Sequence, residues 1–427
     1  MIVLLALALR LPGMFTDFWL DEIWSLNVAK SIHSPLDVLL SESARIDNNH
    51  PLHTWYLCAV GDVNAWWIYR LPAFVCGLGA VIVAAIAFAR RSAIESIVAA
   101  ALIAFSFPLV FYSTEARGYA PVVFFALVSF GAMLRYVDRA SWSSAAIFNL
   151  ACVLGFLSHL TFFHFYLAAM YWTVLRARRT RLPLMQQFIW WARLNAVPVL
   201  FLVFLFRVFV RDMTIGGAAP TDPVQVLFRS LSIPLGGPDF GAGAIVGACI
   251  TIALFVASIA NCLKRRDDLW LFYVLAVVVA PGFLLFYNLV LSARPQPLMP
   301  RYFLVAMTML LMAIAHLAPL LNRRVLCVAM AMFFLANGLH MYRATARGRG
   351  NQTQVIHRLL RESSDSMITV STDDFRRARM VMGFYGPRLV PQDRGIEIRE
   401  SDQPAEWILT TSPSPELSGF FWEIRRR

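Results

Sequence analysis

Apolar stretches of membrane-spanning length recur along most of the chain. They lie near residues 1–15, 66–88, 93–112, 119–136, 143–158, 161–175, 187–208, 241–262, 269–292, 302–320 and 325–342. A helix needs about 20 apolar residues to cross the hydrocarbon core of a bilayer. In lipid every backbone polar group must be satisfied internally, so stretches of this kind become helices. The expected fold is an all-α polytopic membrane protein with about eleven transmembrane helices. The first stretch is short, and no cleavage-site pattern precedes Asp17, so it is expected to be either an uncleaved anchor or the remnant of a longer start. A single helix over 140–175 would be about 54 Å long, so two short helices turning near Ser158-His159 are expected.

Composition agrees with the pattern. Hydrophobic residues make up 59% of the 427 positions and charged residues only 15%, whereas a soluble domain is about a quarter charged. A cytosolic enzyme, a disordered chain and a disulfide-rich secreted mini-protein are thereby excluded. The net charge of +12 invites a nucleic-acid partner, but its distribution argues against one. Residues 1–343 carry 25 basic and 15 acidic residues, and residues 344–427 carry 13 and 11. The excess therefore sits among the apolar segments. It is concentrated at Arg90/Arg91, Arg135/Arg139, Arg176/Arg178/Arg179/Arg181, Lys264/Arg265/Arg266 and Arg323/Arg324, on every second loop. The positive-inside rule puts those loops in the cytoplasm.

Of the 15 acids before residue 344, only Glu95, Asp138, Asp267 and Asp268 share those loops, and the other eleven are expected to face outward. The six cysteines lie in or beside apolar stretches without CxxC spacing and read as small hydrophobes.

Two domains are expected. Residues 1–343 form the transmembrane domain, with long outward loops at 16–65 and 209–240. Residues 344–427 change composition sharply. They read as a helix near 351–362, a strand at 367–371, a helix near 374–384 and a strand at 407–411, hence a small C-terminal extracytoplasmic α/β domain.

The charged minority holds the candidate chemistry. Trp19-Leu20-Asp21-Glu22 follows the first helix. Two adjacent carboxylates at a membrane surface can act as a base or bind a cation, and shielding from water makes a carboxylate a better base. The alternative is a pair of acids that merely favours a helix N-terminus. Asp47-Asn48-Asn49-His50-Pro51-Leu52-His53 ends the first outward loop. Asp47, His50 and His53 are candidate ligands for a divalent ion, although the spacing is not a known zinc pattern and His-Pro often opens a helix.

Glu115-Ala116-Arg117-Gly118-Tyr119 lies in a short outward turn, and Pro300-Arg301-Tyr302 opens a late helix. A guanidinium at either place can hold a phosphate in a bidentate manner. It can equally be an interfacial anchor. His159 at the hairpin turn is a weaker candidate, and Arg10 inside the first helix needs a polar partner. No GxGxxG, Walker A, HExxH, GxSxG or outward DxD is present, and no nucleotide cofactor is expected.

The order Arg10, Trp19-Leu20-Asp21-Glu22, His50-Pro51-Leu52, Glu115-Ala116-Arg117-Gly118-Tyr119, Pro300-Arg301-Tyr302 resembles the GT-C membrane glycosyltransferases over roughly residues 1–345. It is most similar to the bacterial branch of the dolichyl-phosphate-mannose protein mannosyltransferase superfamily, which includes the lipid A aminoarabinose transferase. That resemblance implies Asp21 as catalytic base accompanied by Glu22, and Arg117 and Arg301, with Tyr302, at the donor phosphate. It leaves Asp47, His50, His53, Glu115, Tyr119 and His159 as further site candidates. A divalent cation is a candidate cofactor, with Glu22, Asp47 and His50 as its ligands. Pro51-Leu52 departs from the two prolines common in the family.

The implied activity is inverting transfer of a sugar from a polyprenyl-phosphate donor at the outer face of the bacterial inner membrane. The acceptor would be a glycolipid, a polysaccharide or a protein, with membrane lipid as partner and no nucleic acid. The alternatives are a lipid-linked sugar transporter or flippase, an O-antigen-type polymerase or ligase, and a non-catalytic scaffold.

Overall fold

The structure is a computed structural model describing residues 1–46, 48–214, 221–291, 297–413, 417 and 419–427. Among the described residues, every apolar stretch expected to be helical is helical. Among the described residues, seven helical segments have the length and apolar character to cross a membrane: Trp66–Phe88, Tyr119–Arg139, Leu184–Val210, Gly241–Lys264, Leu269–Val290, Pro300–Leu320 and Arg323–Glu362. The last passes through a break at Gly348 (φ 71°) into the tail helix Gln352–Glu362.

The other four expected stretches are shorter or broken. Ile2–Phe15 and Leu20–Lys30 form a pair bent by 74°. Ala93–Phe105 stops at Ser106 and resumes as Phe107–Tyr112. Trp142–Ser158 and Phe163–Arg178 form the short hairpin expected from the 140–175 argument, with His159 at its turn.

The break at Ser106 has a stated chemistry. Ser106 leaves the helical region (ψ 118°), and Pro108 has no amide proton to return to Ala104. The freed carbonyls are taken by Arg10, which donates to Ala104 O (3.0 Å) and Ile103 O (3.4 Å) as well as to Ala6 O (3.1 Å). The costly arginine in the first helix is thus buried, and it satisfies a broken helix end.

The Tyr119–Arg139 helix is packed between Leu71–Phe88 and Trp142–Ser158 and links the two ends of the bundle. At its Arg139 end the basic clusters meet the few acids beside them. Arg91 pairs with Asp267 (2.5 Å), Arg176 with Asp268 (2.6 Å), Arg179 with Asp268, and Arg265 with Glu95 (3.0 Å). At its Tyr119 end lies the first long loop, itself helical at Leu20–Lys30, Asp37–Leu40 and Pro51–Val60.

Among the described residues, the tail contains the two expected helices, Gln352–Glu362 and Phe375–Leu389, and four strands. These are β1 (Met367–Thr372), β2 (Gly395–Glu400), β3 (Trp407–Pro413) and β4 (Phe420–Arg426), in the order β2-β1-β3-β4. β1 runs parallel to β2 and β3, and β4 is antiparallel to β3. The two strands that the sequence reading lacked, β2 and β4, are the edges. One core joins the tail to the first loop: Phe18, Ile23, Leu26, Leu57 and Tyr69 pack with Ile356, Val370, Phe384 and Tyr385.

Candidate functional site

Trp19 leaves the preceding extended segment and caps the Leu20–Lys30 helix, its amide donating to Glu22 Oε2 (3.2 Å). Asp21 and Glu22 then lie in the first turn, where the helix dipole favours negative charge. Successive residues on a helix point about 100° apart, and the two carboxylates have separate fates.

Asp21 points to two arginines from other elements. Its Oδ2 is 2.5 Å from Arg117 Nη1, on the 113–118 turn, and 3.2 Å from Arg301 Nη2, on the Pro300–Phe303 turn. Asp21 keeps 22% of its side chain exposed, against 7% for Arg117 and 13% for Arg301, so the carboxylate is the accessible member. Tyr119 and Tyr302 offer ring faces to these cations. Arg117 lies 5.6 Å from the Tyr119 ring centre, and Arg301 lies 5.9 Å from Tyr119 and 5.8 Å from Tyr302. Arg117 Nε, Arg301 Nε and, against Arg301, Trp19 Nε1 are buried donors with no hydrogen-bond partner among the described residues, as is Asn48 Nδ2 in the first loop. Such a set is costly unless an acceptor meets it.

Glu22 corrects an expectation. It is fully buried in a bidentate pair with Arg70, Nε to Oε1 at 2.8 Å and Nη2 to Oε2 at 2.6 Å, and it also accepts from the Ala116 amide (2.7 Å). Arg70 spends its other donors on the carbonyls of Gly13, Met14, Thr16 and Asp17. Glu22 therefore holds the 12–19 segment to the 113–118 turn instead of facing substrate.

Glu115 turns toward the tail and pairs with Arg349 (2.8 Å). Burial pushes its carboxyl above the usual range, and the Arg349 charge opposes that shift.

The histidines form a buried layer beside Asp21. Ser25 Oγ donates to Asp21 O (2.9 Å), so His50 Nε2, 3.1 Å from Ser25 Oγ, carries the proton. Its Nδ1 is then a buried acceptor without a partner among the described residues. His159 Nδ1 accepts from the Thr161 amide (3.2 Å), leaving Nε2 as an unpartnered donor. The His50 and His159 rings stack at 6.5 Å, and His53 lies 6.1 Å from His50. Burial first, and the Arg117 charge second, hold all three neutral. His50 is pushed well below its ordinary value, and His53 and His159 down to about 3.

Asp47 lies outside the described residues. The expected cation set of Glu22, Asp47 and His50 is only partly described, since it includes Asp47. The Glu22 oxygens are taken by Arg70 and amides, and His50 Nε2 by Ser25. No group of three or more His, Cys, Asp or Glu able to hold a metal occurs among the described residues.

Gly118 allows the close approach of the turn to the hairpin. A Cβ there would lie 1.7 Å from Ser158 O and 2.8 Å from His50 Cβ.

Sequence reasoning missed Arg70, Arg349 and Ser25. Trp66-Trp67-Ile68-Tyr69-Arg70 before an apolar stretch reads as an interfacial anchor, and the partner of Arg70 is 48 residues away. Arg349 lies in a segment that reads as a linker, although Gly348-Arg349-Gly350 marks a turn.

No family model matches the chain, and no curated protein matches it. Among solved structures it is similar to the Archaeoglobus fulgidus oligosaccharyltransferase crystallised in complex with zinc and sulfate, with a TM-score of 0.46 and 13% identity. The likeness covers 92% of this chain and 61% of that one, so the chain spans about three fifths of that enzyme's length.

Proposed function

We propose that this chain is a GT-C-type membrane glycosyltransferase. In this reading it moves a sugar, with inversion, from a polyprenyl-phosphate donor to an acceptor hydroxyl at the outer face of the inner membrane. The observation that carries the reading is the accessible Asp21 carboxylate bridging the buried Arg117 and the half-buried Arg301, each with an unpartnered Nε. Together with the Trp19 indole, which lies against Arg301, they form a donor-rich, cationic lining suited to phosphate oxygens.

The donor phosphate takes the place of Asp21 on the two guanidinium groups. The released carboxylate removes the acceptor proton as the hydroxyl attacks the anomeric carbon. The C–O bond to the phosphate breaks, and the negative charge that develops on the departing phosphate rests on Arg117 and Arg301. Attack opposite the phosphate inverts the anomeric centre. No step needs a cation, because the arginines supply the positive charge. Outward placement of the site and tail is supported by the basic clusters at the other end of the bundle. The acceptor is a glycolipid, a polysaccharide or a protein.

The test uses purified full-length protein in liposomes with polyprenyl-phosphate sugars and an envelope extract as acceptor. Wild type transfers sugar, and Asp21→Asn inserts normally but transfers none. Wild-type turnover by that variant would remove Asp21 as the base. Transport of the intact lipid-linked sugar without any transferred product would favour a flippase.

A further inference from the structure

The tail approaches the acidic loop through a small number of directed contacts. The Tyr385 hydroxyl accepts from the Phe18 amide (2.6 Å) and donates to the Phe18 carbonyl (3.0 Å), so one phenol holds both backbone groups of one residue. Phe18 is fully buried, and its ring stacks on Phe384 at 4.9 Å. The preceding residue is held as well. Asp17 accepts from the Thr353 amide (2.9 Å) and hydroxyl (2.6 Å) in the first turn of the tail helix Gln352–Glu362. On the opposite side Arg70 grips the Asp17 carbonyl (2.8 Å). The Leu20–Lys30 helix begins two residues after Phe18, and Asp21 is in its first turn.

The same tail reaches the other half of the Asp21–Arg117 pair. Arg349 holds Glu115 at 2.8 Å and the Phe111 carbonyl at 2.6 Å, at the turn that carries Arg117. Neither contact is made to Asp21 or Arg117. Together they set where the first turn of the Leu20–Lys30 helix stands relative to the 113–118 turn.

We infer that Tyr385 is a positioning residue: through the backbone of Phe18 it fixes the place of Asp21 against Arg117 and Arg301, and the tail thereby completes the site. The inference rests on the glycosyltransferase reading for its catalytic readout and on geometry alone for its physical one. A base displaced by about 1 Å loses up to about 100-fold in rate while ground-state binding is little changed, and supporting contacts of this kind are what hold a site to tolerance.

The experiment uses the full chain in liposomes and the variant Tyr385→Phe, which removes both hydrogen bonds and keeps the ring. Thr353→Val removes one of the Asp17 contacts independently. Asp17→Asn can still accept the Thr353 amide proton and donate to its hydroxyl, so it is the rescue for Asp17→Ala. Ile368→Val, a one-carbon trim in the tail core that leaves every hydrogen bond to Asp17 and Phe18 in place, is the control for mere loss of stability.

Tyr385→Phe is expected to lower kcat by about tenfold or more with donor KM within about twofold. Hydrogen exchange at the amides of residues 18–23 is expected to speed up, measured without any substrate. Asp17→Ala behaves like Tyr385→Phe, whereas Asp17→Asn and Ile368→Val keep wild-type kcat per folded molecule. Unchanged kcat in an active background, or unchanged exchange at 18–23, overturns the inference. A wild-type chain that transfers no sugar overturns the glycosyltransferase reading instead, and the exchange measurement still decides whether Tyr385 holds the loop.

Discussion

Asp21 and Glu22 are chain neighbours, yet one helical step separates an accessible carboxylate from one sealed in a pair with Arg70. Removing one member of a buried pair leaves an uncompensated charge, at about 3–5 kcal/mol. Arg70→Ala is therefore expected to destabilise the protein by about that amount, read as a lower unfolding midpoint in detergent, while Asp21→Asn leaves the midpoint near wild type. Equal midpoints for Arg70→Ala and wild type would contradict the structural role.

The neutral histidine layer gives a pH prediction. The folded-state values of His53 and His159 are about 3, against an ordinary 6.5. The unfolded chain thus binds protons that the folded one refuses. Their contribution is whole above pH 6.5 and is lost as pH falls from there toward 3. The midpoint should be flat above neutrality and fall by pH 5, and His53→Leu should flatten that fall; a midpoint unchanged from pH 7.5 to 5 would refute the assignment. Gly118→Ala places a methyl group against the Ser158 carbonyl and His50. It is expected to abolish transfer or folded yield, checked by both assays side by side.

At the scale of elements, the notable cases are the imperfect ones. The helix over 93–112 breaks at Ser106, and Arg10 replaces the amide donors that the break removes. Phe107 N, at the restart, is paired with Asn337 Oδ1 (2.7 Å). Arg10→Leu keeps bulk but leaves buried carbonyls unsatisfied, so a loss of about 1–3 kcal/mol is expected, measurable in the same detergent unfolding assay. An unaltered midpoint would mean that water serves those carbonyls.

In the tail, β1 and β3 were legible because Met367-Ile368-Thr369-Val370 and Trp407-Ile408-Leu409 are apolar and β-prone. β2 and β4 were not. They are edge strands that alternate apolar and charged residues, Ile396-Glu397-Ile398-Arg399 and Trp422-Glu423-Ile424-Arg425, and such charge is what protects a sheet edge. A half-polar strand carries little local signal until the sheet it borders is known.

At the scale of the molecule, the tail and the first long loop share one core, and their division at residue 343 is a division in composition more than in packing. Deleting 344–427 would uncover Phe18, Ile23, Leu57 and Tyr69, and would strip Glu115 of Arg349 and Asp17 of Thr353. Aggregation or loss of transfer is expected, followed by size-exclusion profile and activity together. A monodisperse, fully active truncation would show that the loop stands by itself.

The sequence alone determined that this chain is a bundle of apolar helices with a small α/β tail. Membrane helices are dictated by local composition, since each must satisfy its own backbone in lipid. It also determined which charged residues are conspicuous, because charge is costly within the hydrocarbon core and only 15% of the chain is charged. What those charges meet was decided by tertiary structure. Glu22 and Arg70 are 48 positions apart, Asp21 and Arg117 are 96 apart, Glu115 and Arg349 are 234 apart, and Phe18 and Tyr385 are 367 apart. Pairings of that kind arise from packing many helices at once and leave no spacing in the chain. Hence Asp21 and Glu22 look alike in sequence, and only the fold separates the accessible carboxylate from the one sealed against Arg70.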